Sequence, residues 1–98
     1  MSEKLFNKKK EKQKLRDFEG SLKLYLKALE GSPHNPDYLS ETGVVLFNLN
    51  RKKEALDYLN KAANLEPENP YRYSSRAFIK GALKDFEGAV ADYQKCIE

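Results

Sequence analysis

His34 is the only imidazole in the chain and Cys96 the only thiol, so nucleophilic or proton-transfer chemistry would have to be built on them. His34 lies in the run Ser32-Pro33-His34-Asn35-Pro36, a turn-forming composition that predicts a solvated connection rather than a buried base. Cys96 stands near the other end of the chain, in register with small residues of the repeats described below, and is read as a small buried hydrophobe. Asp85, Glu87 and Asp92 form a loose acidic group. The first two suit the start of a helix, where exposed N–H groups favour negative charge. There is no glycine-rich phosphate loop and no His/Cys/acid spacing suited to a metal. The residues therefore predict no catalytic site, no metal, no cofactor and no small-molecule substrate. A single cysteine excludes an internal disulfide and a multi-cysteine zinc site, and makes a reducing cytoplasm the simplest location.

Charge is the second candidate chemistry. Of 98 residues, 34% are charged and the net charge is +3. The excess is local: residues 1–16 hold seven bases and two acids, while the remainder holds eleven bases and thirteen acids. Lysines 8, 9, 10, 12 and 14 could release counterions from a polyanion. Against that, only Arg16 offers a guanidinium fork, and no aromatic is interleaved for base stacking. Leu5, Phe6 and Leu15 fit one narrow apolar stripe of a helix with the lysines solvated around it. That is the preferred reading, with an acidic protein or a nucleic-acid or lipid surface as alternatives. No run approaches the roughly 18–20 apolar residues of a membrane span, and the stretch after Met1 lacks the apolar core of a signal peptide.

The elements that position these groups follow from an internal repeat. Arg16–Glu30 and Lys84–Glu98 share seven identities in fifteen positions without a gap, including Asp17/Asp85, Phe18/Phe86, Glu19/Glu87 and Gly20/Gly88. Their offset is 68 residues, and half of it places the middle segment in register: Leu22 with Leu56, Ala28 with Ala62, Pro33 with Pro67, Asn35-Pro36 with Asn69-Pro70. A fixed 34-residue period marks a helical repeat array. Asn-Pro is a helix start, the asparagine accepting from first-turn N–H groups and the proline tolerated at the first helical position. Pro33 and Pro67 end the preceding helices. Leu39, Gly43, Leu46 and Phe47 make one helical stripe and Ala55, Leu56, Leu59, Ala62 and Ala63 another. The spacing predicts helices at about 3–15, 18–30, 36–49, 52–64, 70–82 and 86–98. They form a single domain over 1–98, with repeats at about 2–35, 36–69 and 70–98, the last incomplete. Gly43/Ala77 and Ala55/Ala89 are expected where the two helices of a unit cross, since little side chain there lets the axes approach.

This pattern resembles the tetratricopeptide repeat. The middle unit offers Leu39, Thr42-Gly43, Leu46, Ala55, Leu59, Ala62 and Pro67, and the third offers Tyr73, Ala77, Ala89, Tyr93 and Cys96. The first unit departs from it, with Lys8-Lys9 where Leu-Gly is usual and Lys12 where Tyr is usual. The resemblance implies an all-α solenoid of about six antiparallel helices in a right-handed superhelix. It also implies a protein–protein scaffold that holds a peptide or helix of a partner in a concave groove. Carried onto this sequence, the groove candidates are Phe6, Lys10 and Lys14; Asp37, Glu41, Val44, Phe47 and Asn48; and Tyr71, Ser75 and Phe78. Phe47 and Phe78 suit two roles, anchoring a partner's side chain or packing between helices. One subclass of the family grips acidic chaperone tails with a two-carboxylate clamp of Lys, Asn and Arg. Its places align here with Phe6, Lys10, Glu41, Tyr71 and Ser75, and Arg72 and Arg76 fall one residue late, so the clamp is not expected.

Repeat arrays bury their apolar faces by stacking neighbours. The last helix is followed by neither a closing proline nor a polar cap, so Val90, Tyr93 and Ile97 are expected as an uncovered C-terminal edge. That reads either as a chain cut from a longer protein or as a self-associating edge.

Overall fold

The structure, a computed structural model, describes Ser2–Ile97, with side chains described from Asp17 onward. Five helices follow one another: α1 (Ser2–Gly31), α2 (Pro36–Asn48), α3 (Lys52–Leu65), α4 (Pro70–Ala82) and α5 (Phe86–Ile97). Each packs on the next, and α2 also touches α4. Among the described residues none of the helices is long and apolar enough to cross a membrane.

The connections are built as the residues dictate. Asn35 Oδ1 accepts from the Tyr38 N–H at 3.2 Å, and Asn69 Oδ1 from the Tyr71 N–H at 3.0 Å. Pro36 and Pro70 then open α2 and α4. Within each helix pair the chain reverses through one left-handed residue, Asn50 at φ 63° and Lys84 at φ 67°. The Arg51 N–H returns to the Leu46 carbonyl and the Asp85 N–H to the Lys80 carbonyl, both at 2.8 Å. These bonds satisfy carbonyls at the end of the outgoing helix.

Packing inside a pair depends on small residues. Ala55, Ala62 and Ala77 are fully buried. A Cβ added to Gly43 would lie 2.9 Å from Leu59 Cγ and Cδ2 and 3.1 Å from the Ala55 carbonyl oxygen. The α2–α3 crossing therefore has no room for a side chain at that position. Leu22, Val45, Leu46, Ala55, Leu59 and Ile79 form the core at the centre of the array. Thr42 is buried among them because its hydroxyl donates to the Tyr38 carbonyl at 2.6 Å.

The first unit differs from expectation. Helices expected at about 3–15 and 18–30 are one continuous α1 of 30 residues, so the described residues form five helices where about six were expected. Arg16, which aligns with Asn50 and Lys84, is helical. The reason lies seven residues earlier. Lys9 occupies the position of Gly43 and Ala77. A lysine there cannot make the close crossing, so no packing offsets the cost of a left-handed arginine, about 1–2 kcal/mol. Helix propagation then continues unopposed. Phe6, Lys10 and Lys14 fall in the part of α1 whose side chains lie outside the described residues.

Candidate functional site

The face shared by α2 and α4 gathers most of the remaining groove candidates. The Phe47 and Phe78 rings meet edge to face, with centroids 5.2 Å apart and planes at 72°. Around them Val44, Asn48, Ser74, Ser75 and Ile79 complete an open pocket of about 410 Å³. Phe47 is half-buried, whereas Phe78 keeps 58% of its surface in water. That exposure is unusual for a phenylalanine with a partner ring, because the α2–α4 contact covers one side of it only. Phe47 thus packs between helices, while Phe78 keeps an exposed ring face.

The other candidates lie apart from this pocket. Glu41 is exposed one turn before Val44 on α2. Tyr71 is exposed on the first turn of α4 and does not line the pocket. The Asp37 carboxylate meets Arg72 Nη2 at 2.6 Å, which ties the start of α2 to α4. Val90, Tyr93 and Ile97 are exposed along α5, Ile97 most of all at 85%.

Two ionic clusters behind the groove were not legible as such in the sequence. Arg72 bridges Asp37 and Glu66, donating to the latter through Nε at 2.7 Å. Arg76 grips Asp92 with two bonds of 2.8 Å, through Nε and Nη2, and reaches Asn60 at 3.3 Å. Lys80 adds a second cation to Asp92 at 3.2 Å. Burial alone would raise the Asp92 carboxyl, but the hydrogen bonds from Arg76 and Lys80 outweigh it and hold it below the ordinary carboxylate range. For Arg72, burial opposes the charge and the bonds to Asp37 and Glu66 more than restore it. The spacing of Arg72, Arg76 and Lys80, four residues apart on one helix face, was the available signal. The three cations of α4 are thus committed inward and do not line the groove.

A second, larger hollow of about 640 Å³ lies between the C-terminal ends of α1 and α3, lined mainly by Leu26, Leu29, Pro33, Leu39, Tyr58 and Leu65. His34 is exposed at its rim. The Cys96 thiol donates to the Pro70 carbonyl at 3.2 Å. Among the described residues no group of three His, Cys, Asp or Glu is placed to hold a metal ion.

Comparison with known proteins agrees with this architecture. Two family profiles, both described as tetratricopeptide repeat, match residues 36–69 and 72–98. Small glutamine-rich tetratricopeptide repeat-containing protein 2 of Mycosarcoma maydis is 25% identical over 83 residues, 85% of this chain. The chain spans only 24% of that relative. Among solved structures, the first TPR of Spaghetti (RPAP3) bound to an HSP90 peptide matches with a TM-score of 0.80 at 25% identity, over 86% of this chain and 67% of that one. MamA from MSR-1 matches with a TM-score of 0.76 at 25% identity, over 85% of this chain and 48% of that one. The repeat period, the buried small residues at the helix crossings and these matches agree: the chain belongs to the tetratricopeptide repeat family.

Proposed function

We propose that the chain is a protein-interaction scaffold that holds a peptide or helix of a partner protein across the α2–α4 face, with an apolar side chain of the partner against Phe78. The observation that carries this reading is the exposed Phe78 ring beside Phe47 and Val44 in an open pocket. Aromatic residues in such settings supply a large share of binding energy at interfaces. The solved relative that holds an HSP90 peptide supports the class of function. It does not carry over its ligand, because Glu41, Tyr71 and Ser75 stand at the clamp positions and Arg72 and Arg76 are engaged internally. The role is one of binding, without catalysis, and the half-buried lone Cys96 fits a reducing compartment such as the cytoplasm.

A peptide-display selection against the full chain tests the proposal. Selected binders should share an apolar anchor and lose about tenfold or more in affinity with Phe78→Ala, a change that leaves the core intact. Binders indifferent to Phe78→Ala and Phe47→Ala would move the site elsewhere. A second reading rests on the exposed Val90, Tyr93 and Ile97 of α5, which fit self-association. A stable dimer broken by Ile97→Lys is its signature.

A further inference from the structure

The charge around the aromatic pocket restricts what can occupy it. The only charged residues of α2 are Asp37 and Glu41, and those of α4 are Arg72, Arg76 and Lys80. All three cations are paired with Asp37, Glu66 or Asp92. Glu41 is exposed and makes no ion pair among the described residues. Among the described residues the groove therefore offers an aromatic anchor point with unpaired negative charge about two turns away toward the start of α2. Glu41 and Phe47 are separated by roughly 9 Å along the helix axis. An occupant that matches carries an apolar residue followed by cations on the same face.

The chain contains such a segment. Residues 2–16 hold Leu5-Phe6 followed by Lys8, Lys9 and Lys10, with a surplus of base. In helical form, as in α1, Phe6 and Lys9 or Lys10 share a face at i, i+3 and i, i+4, roughly 4.5–6 Å apart along the axis before the lysine side chain extends. This segment departs from the repeat pattern, with Lys9 where the later units carry Gly43 and Ala77. α1 runs unbroken from Ser2 to Gly31, so the segment continues the helix and does not fold back along it.

We propose that the occupant of the groove is the N-terminal segment of a second copy of this chain. Its Phe6 enters the pocket of Val44, Phe47 and Phe78, and its Lys9 and Lys10 reach Glu41, the segment running antiparallel to α2. The inference rests on the groove reading above and adds the ligand. The contact is heterologous, segment into groove, so it links copies head to tail, in a closed ring or an open chain.

The test uses the full-length chain and a labelled peptide of residues 2–16. The peptide should bind. Its affinity should fall about tenfold with Phe78→Ala in the chain or Phe6→Ala in the peptide. It should also fall with Glu41→Lys, more at low salt than at high salt. Replacing Lys9 and Lys10 of the peptide by Glu should restore binding to the Glu41→Lys chain. Sedimentation velocity of the full chain should show association that increases with concentration and is lost in the Phe6→Ala chain. A peptide that does not bind, while display-selected peptides do, overturns this inference and leaves the groove reading standing. Failure of both sets of peptides overturns both. Association that persists in Phe6→Ala but is lost in Ile97→Lys places the contact on the C-terminal edge and contradicts the proposal.

Discussion

The tetrad Asp-Phe-Glu-Gly occurs twice and takes two structures. In the third unit Asp85 begins α5. Lys84 is left-handed, and the Asp85 carboxylate accepts from the Gly88 N–H at 3.1 Å. In the first unit the same four residues, Asp17 to Gly20, lie in the middle of α1 and start nothing. A Cβ on Gly88 would collide with the Asp85 carboxylate, while one on Gly20 meets nothing within 4 Å. Identical local sequence is therefore not what makes the turn. The turn forms where the preceding helix can pack back, which requires Gly43 or Ala77 at the crossing and fails with Lys9. Tertiary packing decides between two locally allowed backbones.

The largest expected effect comes from giving the third unit the first unit's residue. Ala77→Lys forces a long cation into a fully buried crossing. It should cost about 3–5 kcal/mol through overpacking and charge burial. The loss should appear as a lower denaturant midpoint, with the amides around Lys84 and Asp85 becoming helical by NMR. A near-native midpoint would falsify the packing account. Next is Asp92→Ala, which strips the partner from Arg76 and Lys80 behind α4 and α5. It should cost about 2–3 kcal/mol.

The same pair sets an acid limit. The folded Asp92 carboxyl is held below its ordinary value. Its stabilising contribution is thus complete above the unfolded value of about 3.9 and is lost as pH falls below it through the folded value. An Asp92→Asn chain should show a shallower loss of stability over that window. Equal acid sensitivity in both chains would assign the effect to other carboxylates. The smallest test uses the two glycines. Gly20→Ala should stabilise by about 0.5–1 kcal/mol, as expected in a helix interior. Gly88→Ala should fall short of that by about 1 kcal/mol, because the new Cβ displaces the Asp85 cap. Equal shifts on thermal melting would mean that the tetrads are equivalent after all.

Much of the fold could be read from residue types alone. Asn35-Pro36 and Asn69-Pro70 are local signals, and α2 to α5 begin and end within a residue or so of the expected positions. The gapless 34-residue register also placed Gly43, Ala55, Ala77 and Ala89 at buried crossings. The merger of the first two helices was signalled by Lys8-Lys9. The consequence of that departure for the turn at Arg16 depends on a clearance near 3 Å at the crossing, which residue types alone do not encode. The pocket was partly legible. Val44, Phe47, Asn48, Ser75 and Phe78 converge, while Asp37 is drawn into an ion pair and Tyr71 stands aside. Arg72 and Asp37 are 35 residues apart, and Arg76 and Asp92 are 16 apart. Pairings across helices at such separations leave no periodic trace in sequence.

The central claim is that partners are held on the α2–α4 face, and NMR chemical-shift mapping of the full chain with a display-selected peptide tests it most directly. The account predicts perturbations centred on Val44, Phe47, Ser75 and Phe78, and their disappearance with Phe78→Ala. Perturbations centred instead on Val90, Tyr93 and Ile97, or on the hollow between Leu26 and Leu65, would contradict it.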